Sequence, residues 1–148
     1  MVVEDCAPKG RLHGGPEGMQ GECVLVVDDE AMLAELGTRI LIRLGYTAES
    51  ATTSAQALEL VRTNPARYAL VLSDQTMPGM TGLELAGELR DIRPDLPIML
   101  MSGYNLSLTA DRVAASGIRN ILHKPFTLHT LGQAVRATLT GTTFHDHG

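Results

Sequence analysis

From residue 23 onward, short runs of strand-like residues alternate with longer stretches of helical period. The runs Cys23 to Val27, Thr47 to Ser50, Tyr68 to Ser73, Ile98 to Met101 and Arg119 to Leu122 have the length of strands, and three of the five are predominantly apolar. Helices are predicted over Ala31 to Leu44, Ser54 to Thr63, Gly82 to Arg93, about Leu106 to Ser116, and Leu128 to Thr140. In the first of these, Met32, Leu33, Leu36, Ile40, Leu41 and Leu44 recur at three- and four-residue steps, with Glu35, Arg39 and Arg43 among them. Gly45 follows, a residue that tolerates the left-handed conformation with which helices end. Leu83, Leu85, Ala86 and Leu89 repeat the pattern in the third helix, and Pro94 lies just beyond it. Tyr104 to Thr109 has little amphipathic order, so the fourth helix has the least defined start. Five βα units in series predict an α/β fold, a parallel sheet with helices on both faces.

Outside this alternation the pattern lapses. Residues 1 to 21 are rich in Gly, Pro and charge and carry neither period, which predicts a flexible leader or linker. Residues 22 to 140 form the expected domain, and 141 to 148 a disordered tail. At 148 residues the chain suits one domain with a real core. No apolar run approaches bilayer-spanning length, and the leader lacks a secretory h-region, so membrane insertion is not expected and a cytoplasmic location is. A formal net charge of −5 without a basic cluster argues against direct nucleic-acid contact. Cys6 and Cys23 form neither a disulfide framework nor a metal motif and are expected as reduced thiols.

The chemistry gathers at strand ends. Asp74 closes the run from Tyr68 and opens the turn Asp74-Gln75-Thr76-Met77-Pro78-Gly79-Met80-Thr81-Gly82. Asp28 and Asp29 follow the first strand, Ser102 the fourth and Lys124 the fifth. In a parallel sheet these ends meet at one edge, where open α/β folds bind ligands. Phosphoryl transfer needs an attacking oxygen, a divalent metal and fixed donors, and this set supplies the side chains for all three. An Asp in a Pro-Gly turn, or one at a helix start, often serves structure alone. A helix cap, however, needs only one acid, and Lys124 is one of two lysines in a chain whose other ten basic residues are arginine. Met77, Met80, Met99 and Met101 suit core or loop packing, Glu30 the first helical turn, and His145-Asp146-His147 a solvated tail.

Val26-Val27-Asp28-Asp29-Glu30, the turn from Asp74 to Gly82, Met101-Ser102-Gly103 and Lys124-Pro125-Phe126, in that order, resemble the receiver domain of bacterial two-component response regulators. The resemblance implies a flavodoxin-like doubly wound sheet of five parallel strands in the order 2-1-3-4-5. It further implies that Asp74 is the phosphoacceptor and that Mg2+, or Mn2+ in its place, is the cofactor. Asp29 would be a direct metal ligand and Asp28 would act chiefly through a water, with Asp74 and the backbone carbonyl of Thr76 completing the set. Ser102 and Lys124 would contact the phosphoryl group, and the Lys124-Pro125 bond would be cis. The implied partner is a sensor histidine kinase or a histidine phosphotransfer protein, with a phosphorylation-dependent dimer left open. Such a chain would catalyse only its own phosphorylation and dephosphorylation, as a single-domain regulator or as the receiver of a hybrid sensor kinase. One position departs from the family: Ile121 stands three residues before Lys124, where many receivers carry the Tyr or Phe that turns inward when the Ser or Thr hydroxyl moves.

Other functions fit less well. A phosphohydrolase of the haloacid-dehalogenase type needs a second Asp two residues after the nucleophile, to protonate the leaving alcohol, and Thr76 stands there. Neither a Walker loop nor a dinucleotide glycine fingerprint follows Val27.

Overall fold

A computed structural model describes residues 22–103, 117–124 and 126–141. The expected leader, the fourth predicted helix at 106 to 116, the Lys124-Pro125 bond and tail residues 142 to 148 lie outside the described residues. The elements follow the predicted alternation: β1 Cys23–Val27, α1 Ala31–Arg43, β2 Thr47–Ala51, α2 Ser54–Thr63, β3 Leu70–Asp74, α3 Gly82–Ile92, β4 Ile98–Ser102, β5 Ile118–His123 and α4 Leu128–Thr140. All strand pairs are parallel, in the order β2-β1-β3-β4-β5. The expected doubly wound sheet is therefore observed, with its order.

Side chains alternate across the pleat and build one core on each face. Leu25, Val27, Val71, Ile98 and Leu100 meet α2 and α3 through Ala57, Val61, Leu85 and Leu89. Val24, Val26, Leu70, Leu72, Met99 and Leu122 meet α1 and α4 through Leu41, Leu131 and Val135. Both faces of the central strands are covered, which is why those strands read as unbroken apolar runs. Met77, Met99 and Met101 are buried as expected. Among the described residues no helix is long and apolar enough to cross a membrane.

Several expectations need correction at the level of single residues. β3 begins at Leu70 rather than Tyr68 and extends through Asp74. Glu30 is the N-cap of α1 rather than a first-turn residue, and its side chain makes no capping bond. Cys23 is disulfide-bonded rather than a reduced thiol.

At the opposite end of the sheet from Asp74, the buried Tyr68 hydroxyl donates to Glu49 Oε1 at 2.6 Å, and Arg67 pairs with the other oxygen of that carboxylate. Glu49 lies on the edge strand β2 and would otherwise carry a poorly solvated charge. Removing the hydroxyl withdraws a donor from a buried carboxylate. Tyr68→Phe should therefore lower unfolding free energy by about 1.5 to 3 kcal/mol in urea titration, with no loss of secondary structure by circular dichroism.

Candidate functional site

The parallel register brings the expected residues to one edge. Val27 pairs with Ser73, Asp74 with Met101, and Ser102 with His123, so β1, β3, β4 and β5 end side by side. Asp28 leaves β1 with its backbone N–H donating to Ala51 O at 3.1 Å. Its Oδ1 accepts from Glu30 N at 3.0 Å, so the buried carboxylate also steadies the entry to α1. Asp29 is exposed beside it. Asp28, Asp29 and Asp74 each place a carboxylate oxygen within 4.8 Å of the others.

Lys124 closes the group. Its Nζ lies 3.0 Å from Asp74 Oδ1 and 3.5 Å from Asp28 Oδ2. The lysine is held there because its own N–H donates to Ser102 O at 2.7 Å, one step beyond the β4–β5 ladder. Burial works against the Lys124 ammonium, but the Asp74 and Asp28 carboxylates outweigh it and hold its pKa above the ordinary lysine value. Burial pushes the Asp74 carboxyl the other way, above the usual carboxylate range, and Lys124 only partly offsets this while Asp28 and Asp29 add to it. The formal sum of three aspartates and one lysine is −2, so the site is poised for a cation.

Ser102 sits on the same edge with its Oγ buried and without a hydrogen-bond partner among the described residues. A buried hydroxyl in that state is rare and has donor capacity in reserve. Thr76 is exposed in the turn after Asp74. Ile121 is half-buried and packs against the core on the α2 and α3 face. The structure thus brings Asp28, Asp29, Asp74 and Lys124 together, and seats Ser102 at the end of the neighbouring strand.

Two residues that hold this edge escape a reading based on chemical type. Gln75 is buried directly after Asp74, where its side-chain Oε1 accepts from Leu83 N at 2.8 Å and its backbone carbonyl accepts from Gly82 N at 3.0 Å. These bonds tie both ends of the Asp74 turn together. Gly82 begins α3 against the backbone of Asp74, so close that a Cβ there would fall 2.5 Å from Asp74 O and 2.7 Å from Leu100 Cδ2. The available signal was Thr81-Gly82-Leu83-Glu84, a capping box that marks where α3 starts: Glu84 N donates to Thr81 Oγ1 and Thr81 N to Glu84 Oε1.

Comparison with known proteins agrees with this geometry. Residues 24–136 match the family model of the response regulator receiver domain. Sensor kinase CckA of Brucella abortus is 35% identical over 116 residues, covering 78% of this chain and 12% of that protein. Response regulator MprA of Mycobacterium ulcerans is 38% identical over 125 residues, covering 83% of this chain and 52% of its own length. The chain therefore spans about half or less of these two relatives. A response regulator receiver domain protein from Clostridium thermocellum shares the fold, with a TM-score of 0.76 at 23% identity over 81% of this chain and 95% of that one. An acidic edge closed by one lysine, on a sheet of this order and within a match of that extent, leads to one assignment: the chain belongs to the response regulator receiver domain family.

Proposed function

We propose that this chain is the phosphoacceptor of a two-component phosphorelay, with Asp74 taking the phosphoryl group from a phosphohistidine on a sensor histidine kinase or histidine phosphotransfer protein. The observation that carries this is the position of Asp74 at the tip of β3, 3.0 Å from the Lys124 ammonium and within 4.8 Å of two more carboxylates. An Asp74 carboxylate oxygen attacks phosphorus, the phosphorus–nitrogen bond breaks, and its electron pair stays on the departing imidazole. Lys124 steadies the negative charge of the phosphoryl oxygens as a point charge, and the unpartnered Ser102 hydroxyl donates to one of them. Return to the carboxylate requires only water.

The donor set suits Mg2+, a hard cation bound by oxygen and commonly through one or two carboxylates. Exposed Asp29 is the better direct ligand, because Asp28 is buried, accepts from Glu30 N and faces Lys124, which leaves it to act through water. Asp74 and the Thr76 carbonyl complete the proposed set. When bound, the cation supplies positive charge to the phosphoryl oxygens. The match to a sensor kinase supports a receiver joined to a kinase, and that to a regulator supports a separate one; the upstream reading frame distinguishes them.

Ile121 has no ring to turn and no hydroxyl to expose, so the switch is proposed to run through Ser102 and the segment after it. A phosphoryl group adds roughly −1.5 to −2 charge beside Asp74 and draws Ser102 and Lys124 toward it. With beryllofluoride, a phosphoryl mimic, amide shift changes should concentrate in residues 102 to 110 and spare Ile121. Large changes at Ile121 with residues 102 to 110 silent would overturn this route.

Acetyl phosphate with magnesium should add one phosphoryl group by intact mass, labile to hydroxylamine, and Asp74→Asn should abolish it. Full labelling of that variant would reject the assignment. Stability in EDTA gives a separate check. The folded protein holds the Asp74 proton more tightly than the unfolded chain does, so the contribution of this group falls as pH rises through the folded carboxyl's titration. Asp74→Asn should accordingly match the wild type below about pH 4 and be more stable near neutrality by about 1 to 2 kcal/mol. Magnesium should stabilise the wild type more than the variant.

A further inference from the structure

We infer that Gln75 is a positioning residue for the metal: by capping α3 from the end of β3, it fixes the place of the Thr76 carbonyl. The inference deepens the proposed function and rests on the Mg2+ site named there. Thr76 is the exposed residue after Gln75, and among the described residues it makes no hydrogen bond of its own. Where its carbonyl stands is therefore decided by its neighbours.

Gln75 is held at three atoms. Its N–H donates to Met101 O at 2.9 Å, which carries the β3–β4 pairing past Asp74. Its carbonyl accepts from Gly82 N at 3.0 Å, and its side-chain Oε1 accepts from Leu83 N at 2.8 Å. Successive side chains of an extended chain take opposite faces, so Asp74 turns toward Lys124 while Gln75 turns toward α3. The far limb of the turn is tied elsewhere, by Ser54 Oγ donating to Met80 O at 3.1 Å. Thr76 lies directly beside the Gln75 tie and away from the Ser54 one.

The start of α3 explains why those bonds hold. The first four N–H groups of a helix find no partner within it. In α3 they belong to Thr81, Gly82, Leu83 and Glu84. The capping box satisfies two of them, Thr81 N through Glu84 Oε1 and Glu84 N through Thr81 Oγ1. Gln75 satisfies the other two, and its side-chain bond is buried where the bonds of the box are exposed. Without the glutamine, Leu83 N would lose its partner in a place that water does not fill, so the bond has no ready substitute. A glutamate would reach as far, but it would add a fourth negative charge beside three aspartates. The amide offers the same acceptor without that charge.

The test is a Mg2+ titration of the full isotope-labelled chain, read by NMR at the amide nitrogen of Met77, which shares a peptide group with the Thr76 carbonyl. In the wild type this nitrogen should shift as Mg2+ binds. Gln75→Met keeps the length and loses the acceptor; it should weaken Mg2+ binding about tenfold and shrink the Met77 shift at saturation. Gln75→Asn keeps the amide but is one methylene too short for Leu83 N, and should do the same. Gln75→Glu regains the acceptor and should bind Mg2+ at least as tightly as the wild type. Thr81→Ala removes the other cap of α3, and should lower the melting temperature while leaving Mg2+ affinity and the Met77 shift unchanged. Wild-type binding in the Met and Asn variants would overturn the role of Gln75 and leave the metal site standing. So would a Thr81→Ala loss equal to that of Gln75→Met, or a Gln75→Glu variant that stays weak. A wild type with no Mg2+-dependent shift would remove the metal site itself, and this inference with it.

Discussion

The repulsion among Asp28, Asp29 and Asp74 is the constraint around which the described residues are arranged. Three carboxylates sharing one edge cost folding free energy, and a single ammonium, Lys124, offsets only part of that cost. The rest is borne by two cores that grip the central strands from both faces and leave their ends no freedom to separate. The site therefore resembles a loaded support: the sheet supplies stability, and the edge consumes some of it to keep a binding place for positive charge. Burial is the main reason the Asp74 carboxyl is held above the usual carboxylate range, with Asp28 and Asp29 adding to it, and the unpartnered Ser102 hydroxyl is a further local cost of the site.

Most of this could be read from the sequence because the relevant physics is periodic or punctuated. Alternation of strand-like runs and helical period located all nine described elements, three with the same bounds and the rest within two residues, since the last turn or rung of an element depends on neighbours that a linear pattern does not contain. β3 is the instructive case. Its apolar run starts at Tyr68, yet that ring is buried with its hydroxyl on Glu49, and ladder pairing starts two residues later. The four residues gathered by the structure were legible because each stands at a strand end, and parallel topology turns position along the chain into position along an edge. What escaped was three-dimensional proximity: the side chain of Gln75 folded back onto α3, and the contact of Gly82 with Asp74. Neither of these has a period.

Helix α1 shows how one sequence pattern can serve two surfaces. Its inner stripe, Ala34, Thr38 and Leu41, is the one that seats it on the sheet. The outer residues Met32 and Leu36 recur at the same step and inflate the apparent apolar face, so the sequence shows a helix more hydrophobic than its seat requires. The excess separates from the core only once exposure is known.

Gly82 carries a consequence for how such a protein would look to genetics. It has no side chain and lies eight positions from Asp74 in sequence, yet the α3 backbone meets the Asp74 carbonyl at that point with no room for a methyl group. Any replacement must lift the helix from the sheet edge or shift Asp74 itself. On the proposed function, a screen for inactive alleles would therefore recover this glycine beside the aspartates and score it as though it reacted. Its inheritance would be as strict as theirs, for a reason that belongs to steric exclusion and not to charge.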